Sequence, residues 1–66
     1  MSAMPIKQVL ARAAQLATDN NSAQECLRQA QAASKRGDTE AARRWARKCI
    51  AYSVGVFHPA YREVAE

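Results

Sequence analysis

Ala33-Ser34-Lys35-Arg36-Gly37-Asp38-Thr39-Glu40-Ala41-Ala42 contains a helix end and a helix start within a few residues. Glycine takes the left-handed conformation of a helix C′ position without a Cβ clash, so Gly37 is a natural stop. Asp38 is a good N-cap, and Glu40 suits the positive end of the helix that follows. A link this short forces the two helices to lie side by side and antiparallel. With the turn centred between Gly37 and Asp38, residues equidistant from it should lie level. Ala30 then faces Trp45, Ala23 faces Tyr52, and Cys26 faces Cys49. In the first two pairs a small side chain meets a large one, the interdigitation a helix–helix core requires.

Working outward, Ser22-Ala23-Gln24-Glu25 has the form of a capping box, predicting a helix from about Ala23 to Arg36. Its apolar stripe is Ala23, Cys26, Leu27, Ala30 and Ala33. Before it, Thr18-Asp19-Asn20-Asn21-Ser22 is a cluster of turn and capping residues. A preceding helix is expected from about Pro5 to Ala17, since proline suits a first helical turn. There Ile6, Val9, Leu10, Ala13, Leu16 and Ala17 repeat at three and four. The helix after Asp38 is expected to reach about Phe57, because the residue before a proline is pushed out of helical geometry and His58 precedes Pro59. Pro59 can then open a short fourth helix to Ala65. The expected fold is all-α. Residues 1–66 form one small three-helix domain built on an antiparallel hairpin, with the first helix folded back on it or packed across it.

The composition agrees. The chain has 66 residues, 48% of them hydrophobic, with two Gly, two Pro and two Cys. That is too apolar for disorder and too poor in cysteine for a disulfide scaffold. A monomer of this length keeps only about 4,200 Å² of surface and has little core to spare. No apolar run is long enough to span a membrane, and Met1 to Lys7 lacks the apolar region of a secretory signal. Lys7 to Ala17 has the alanine and arginine content of a transit segment, but removing it would delete about a third of the domain's apolar surface. A cytoplasmic location is therefore expected.

The run Cys26-Leu27-Arg28-Gln29-Ala30, Ala33-Ser34-Lys35-Arg36-Gly37-Asp38, Ala41-Ala42 and Trp45-Ala46-Arg47-Lys48-Cys49 resembles one tetratricopeptide-like helix–turn–helix unit. Ala30 and Ala33 fall at small positions of that unit's first helix. Ala42, Ala46 and Cys49 fall at small or aromatic positions of its second. Gln29 and Ala33 depart from the pattern, standing where a large apolar and an aromatic residue are usual, and no second repeat follows. The resemblance covers about a third of the chain and implies a protein-interaction scaffold without catalysis.

No residues assemble convincingly into a reactive centre. Cys26, Cys49 and His58 are the only soft metal ligands. Their spacing is long and a fourth ligand is missing, so neither metal nor cofactor is expected. His58 lies two to three turns beyond Cys49, too far for a nucleophilic pair. It is expected to cap the last turn of the helix after Asp38 or to face solvent. Both cysteines are expected to be reduced and buried, although a bridge across the hairpin would join level positions.

The net charge of +4 suits an acidic partner surface or nucleic acid. Arg43 and Arg47 share one ridge of the helix after Asp38, and Arg44 and Lys48 share another. Nucleic-acid binding would call for aromatics beside these cations, whereas Trp45 and Tyr52 are expected to point inward. The same helix carries two apolar stripes. Trp45, Cys49, Tyr52, Ser53 and Val56 continue the inner one. Ile50, Val54 and Phe57 form a second, continuing the Arg43 and Arg47 ridge. A chain this small is expected to leave that second stripe for another chain unless the first or fourth helix covers it. The sequence thus predicts a non-enzymatic protein-binding module: an adaptor, regulator or inhibitor acting by surface occupation. Arg43, Arg47, Ile50, Val54 and Phe57 would form its contact surface, for an acidic partner protein or a second copy. The alternative is a small basic nucleic-acid-binding regulator.

Overall fold

The computed structural model describes residues 4–17 and 19–65. Thr18, in the expected first turn, lies outside these residues, as do Met1, Ser2 and Ala3 of the segment read for targeting. Four helices follow in order: α1 (Ile6–Leu16), α2 (Asn21–Lys35), α3 (Thr39–Val54) and α4 (Pro59–Ala65). No strand occurs among the described residues. The fold is a small all-α domain, and its fourth helix starts at Pro59 as expected.

The α2–α3 hairpin closes as the sequence indicates. Gly37 has a φ of +82°. Its N–H donates to the Ser34 carbonyl at 3.0 Å, and the Asp38 N–H donates to the Ala33 carbonyl at 2.9 Å. This pair of bonds is a Schellman motif, which satisfies two carbonyls that α2 would otherwise leave open. Asp38 Oδ1 then accepts from the Ala41 N–H at 3.1 Å and caps α3.

Three local expectations need correction. Asn20, not Ser22, caps α2, so that helix starts two residues earlier than expected. Asn20 Oδ1 accepts from the Ala23 N–H at 3.0 Å, and its amide nitrogen donates to the Tyr52 carbonyl at 2.8 Å. Ser22 has no equivalent bond to α3. Glu25, freed from any capping box, instead accepts from Arg28 and Gln29. Pro5 sits just outside α1 as its N-cap rather than in its first turn. Its carbonyl accepts the Val9 N–H at 3.0 Å. Finally, α3 stops at Gly55, whose φ is +96°, not at Phe57.

The domain measures 27 × 26 × 14 Å. α1 and α2 pack on each other and both pack on α3, with α4 against α3, so the helices enclose a small common core. Small residues dominate that core. Among the described residues the core is Val9, Leu27, Ile50, Val64, the two cysteines and eight alanines. Alanines let helix backbones approach closely but contribute little apolar area. The larger side chains therefore carry much of the burial, at about 1.5–3 kcal/mol each for those fully enclosed.

α3 is the hub, with α2, α1 and α4 all packed on it. Its buried residues are Ala42, Ala46, Cys49 and Ile50. The inward face expected from the hairpin alone, centred on Trp45, Cys49 and Tyr52, is thus rotated by about 80°, where each residue turns a helix by about 100°. The cause is that α1 and α4 share the buried arc with α2. Trp45 moves to the edge of the core, half-buried, with Lys48 Nζ 4.9 Å from its ring centroid. Tyr52 turns outward.

The second apolar stripe is divided by the same rotation. Ile50 is fully enclosed, in one cluster with Val9 and Ala13 of α1 and Ala60 and Val64 of α4. It therefore offers nothing to another chain, contrary to the expectation for that residue. The total surface of 4411 Å² is close to the roughly 4,200 Å² of a compact monomer. The monomer covers its own core. An ion pair between Arg12 and Glu63, at 3.6 Å, adds a polar link between α1 and α4.

Candidate interaction surfaces

The first surface begins where α3 ends. The Gly55 N–H donates to the carbonyls of Ala51 at 3.0 Å and Ile50 at 3.4 Å, closing the helix. The chain then reverses. The His58 N–H donates to the Gly55 carbonyl at 3.3 Å, an i to i+3 turn that puts Val56 and Phe57 at its two corners. His58 Nδ1 accepts from the Ala60 N–H at 3.0 Å and caps α4. That bond requires the neutral ring with its proton on Nε2. His58 is thus a cap, but of the start of α4 rather than of the last turn of α3 as expected.

Turn corners usually carry Gly, Pro, Asn, Asp or Ser, which supply the turn's backbone angles or bond to its backbone. Here they carry valine and phenylalanine. Phe57 is 95% exposed and Val56 49%. Just before them Tyr52 is 57% exposed and Val54 36%. Among the described residues these four are the exposed large apolar side chains, and all fall within the six positions from Tyr52 to Phe57. Single exposed apolar residues need no explanation, but a cluster on one projecting feature does.

The second surface lies between α3 and α4. Arg44, Arg47 and Lys48 line a pocket of about 360 Å³ with Ala51 and with Tyr61 of α4. Ala60 and Val64 point into the core, which sets Tyr61 against the flank of α3. No carboxylate lines the pocket. Glu40 pairs with Arg44 at 3.5 Å, while Arg47 and Lys48 have no ion-pair partner among the described residues.

Of the residues expected at a contact surface, Val54 and Phe57 lie on the first feature and Arg47 lines the second. Arg43 is half-buried on α3, one turn before Arg47, and Ile50 is in the core. Sequence reasoning missed Tyr52, Val56 and Tyr61. The Ala60 and Val64 spacing of four contained the signal for Tyr61, because it fixes which flank of α4 meets α3.

The thiols are inward. Cys26 and Cys49 are both free and buried. Cys49 Sγ donates weakly to the Ala13 carbonyl at 3.7 Å, and the Ser53 hydroxyl donates to the Cys49 carbonyl at 2.7 Å. Burial pushes both thiols above their ordinary pKa. Among the described residues no three His, Cys, Asp or Glu side chains converge on a common point, and no helix is long and apolar enough to cross a membrane. The chain matches no family model, no curated protein and no solved structure.

Proposed function

We propose that this chain is a small non-enzymatic protein-binding module that works by occupying a partner's surface. The observation that carries this reading is the Val56–Phe57 turn. A fully projecting aromatic at a turn corner stabilises nothing in the monomer, whereas it would fill an apolar socket on another protein. Phe57 combines large apolar area with few rotatable bonds, the profile of an interface hot spot. Tyr52, Val54 and Val56 would surround it and exclude water. Arg43 and Arg47 would act at longer range with the net charge of +4, steering an acidic partner and raising the on-rate more than the affinity.

The resemblance of the α2–α3 hairpin to a tetratricopeptide-like unit supports the same class of role. Two buried free thiols suit a reducing compartment, consistent with a cytoplasmic site of action.

Quantitative affinity capture tests the reading. Wild type and the Val56→Ser, Phe57→Ser double variant would each be immobilised after circular dichroism shows equal helicity. Proteins enriched by wild type, or a second copy of the chain detected by light scattering, should be lost with the variant. Equal recovery by both chains would remove the turn from any role in binding.

A further inference from the structure

We propose that the pocket of Arg44, Arg47, Lys48, Ala51 and Tyr61 is a binding site for single-stranded nucleic acid. The cations would hold the phosphates, and a base would lie against Tyr61. This site is separate from the Phe57 turn and does not rest on the protein-binding reading.

Charge is the first ground. Arg43, Arg44, Arg47 and Lys48 crowd into six residues of α3 against one acid, Glu40, which Arg44 already engages. Arg44 and Lys48 stand one helical turn apart, about 6 Å along the axis, and Arg47 flanks them. Three cationic side chains lining one concavity without a carboxylate make a surface for a polyanion rather than for a single ion pair.

The second ground is the remaining wall. Tyr61 and Ala51 give the pocket a partly apolar side next to its cations. An acidic peptide would satisfy the arginines but leave that side unused. A nucleotide brings a phosphate and a flat ring on one unit and uses both. Stacking on an aromatic beside Arg and Lys is the general mode of single-strand recognition. In a duplex the base faces are already stacked on one another, so only an open strand can offer one to Tyr61. The volume of about 360 Å³ is at the small end of ligand pockets and limits the footprint to a short stretch of strand. The structure also removes the objection raised from sequence. Tyr52 is exposed, Trp45 sits only at the edge of the core, and Tyr61, half-buried against that core, lines the same pocket as the cations.

Trp45 is the single tryptophan of the chain, and Lys48 lies over its ring. A phosphate that draws Lys48 away should change Trp45 emission, a built-in reporter. The experiment titrates the full chain with a twelve-residue oligothymidylate at low salt, following Trp45 fluorescence and the anisotropy of labelled strand. Saturable binding is expected, with a log–log salt slope of about −2, from roughly −0.7 per phosphate neutralised on a single strand. Arg44→Gln with Lys48→Gln should weaken binding at least tenfold and bring the slope to about −0.7. Tyr61→Leu should weaken it about fivefold or more with the slope unchanged, and Phe57→Ala should have no effect. As a readout that needs no variant, photo-crosslinking of a 4-thiothymidine strand to the wild-type chain should map to Tyr61 or its pocket neighbours. Equal affinity for a polyglutamate peptide or for duplex of the same length would overturn the proposal. So would a Tyr61→Leu chain, helical by circular dichroism, that binds as wild type does, or crosslinks that fall only outside the pocket.

Discussion

Ile50→Ala separates most sharply the two places this side chain could occupy. It is fully enclosed and is the largest wholly buried side chain among the described residues. Truncation removes three methyl or methylene groups. At about 0.8 kcal/mol each, the transfer cost is about 2.4 kcal/mol. A further cost arises from the cavity, at about 24 cal/mol per Å³ left unfilled. Collapse should be limited, because Val9 and Ala13 of α1 and Ala60 and Val64 of α4, which share its core cluster, are short side chains. The sum is about 3–4 kcal/mol. A domain of 66 residues has a total stability of only about 3–10 kcal/mol, so the variant should be severely weakened and at the low end of that range unfolded. Urea melts followed by far-ultraviolet circular dichroism would measure it, with Ile50→Val as a graded control at about 1 kcal/mol. Val54→Ala, one turn away but exposed, should cost well under 1 kcal/mol. A loss below about 1 kcal/mol for Ile50→Ala would refute the packing described and return Ile50 to an outer face beside Val54.

Asn20→Ala should cost about 1–2 kcal/mol in the same assay, losing both the α2 cap and the bond to the Tyr52 carbonyl, while Ser22→Ala should be close to neutral; the reverse ranking would restore Ser22 as the cap. Gly37→Ala should cost about 1 kcal/mol through its φ of +82° alone, since a Cβ there meets no atom within 4 Å, and an unchanged midpoint would contradict the left-handed turn. Burial raises the folded pKa of Cys26 and Cys49, so the stability they contribute is fully present below the unfolded value of about 8.5 and is lost as pH rises through the folded values. Urea midpoints should therefore fall on the alkaline side, less so in a Cys26→Ala, Cys49→Ala chain, and native alkylation should be much slower than in urea. Equal alkylation rates would place the thiols at the surface.

The hairpin was legible because its signals are local. Gly37 and Asp38 act through their own backbone geometry, and Pro59 starts α4 for a reason contained in its ring. The misplaced start of α2 has a different origin. Asparagine and serine are comparably good caps, and what favours Asn20 is its second bond, to Tyr52 far along the chain, which no local pattern reveals. A single glycine inside a helical pattern is often tolerated, so Gly55 does not by itself mark a helix end in the sequence. In the folded chain its positive φ ends α3 and makes Val56 and Phe57 corner residues rather than helix-face residues. The rotation of α3 was hidden for a third reason. A two-helix register predicts the face toward α2, but α1 and α4 compete for the same arc and draw Ile50 inward. Phe57 was legible as an apolar side chain left at the surface, but on a helical stripe with Ile50 rather than on a turn. The basic pocket required knowing where α4 lies.

The most direct test of the protein-binding reading is a comparison of affinities for a protein recovered by wild-type capture, measured for wild type and Phe57→Ala at low and at high salt. Because Phe57 is 95% exposed, its truncation should leave the urea midpoint unchanged. The expected result is a loss of about thirtyfold or more, the equivalent of a hot spot of about 2 kcal/mol, persisting at high salt because the contact is apolar. Equal affinities for the two chains at both salt concentrations would contradict it.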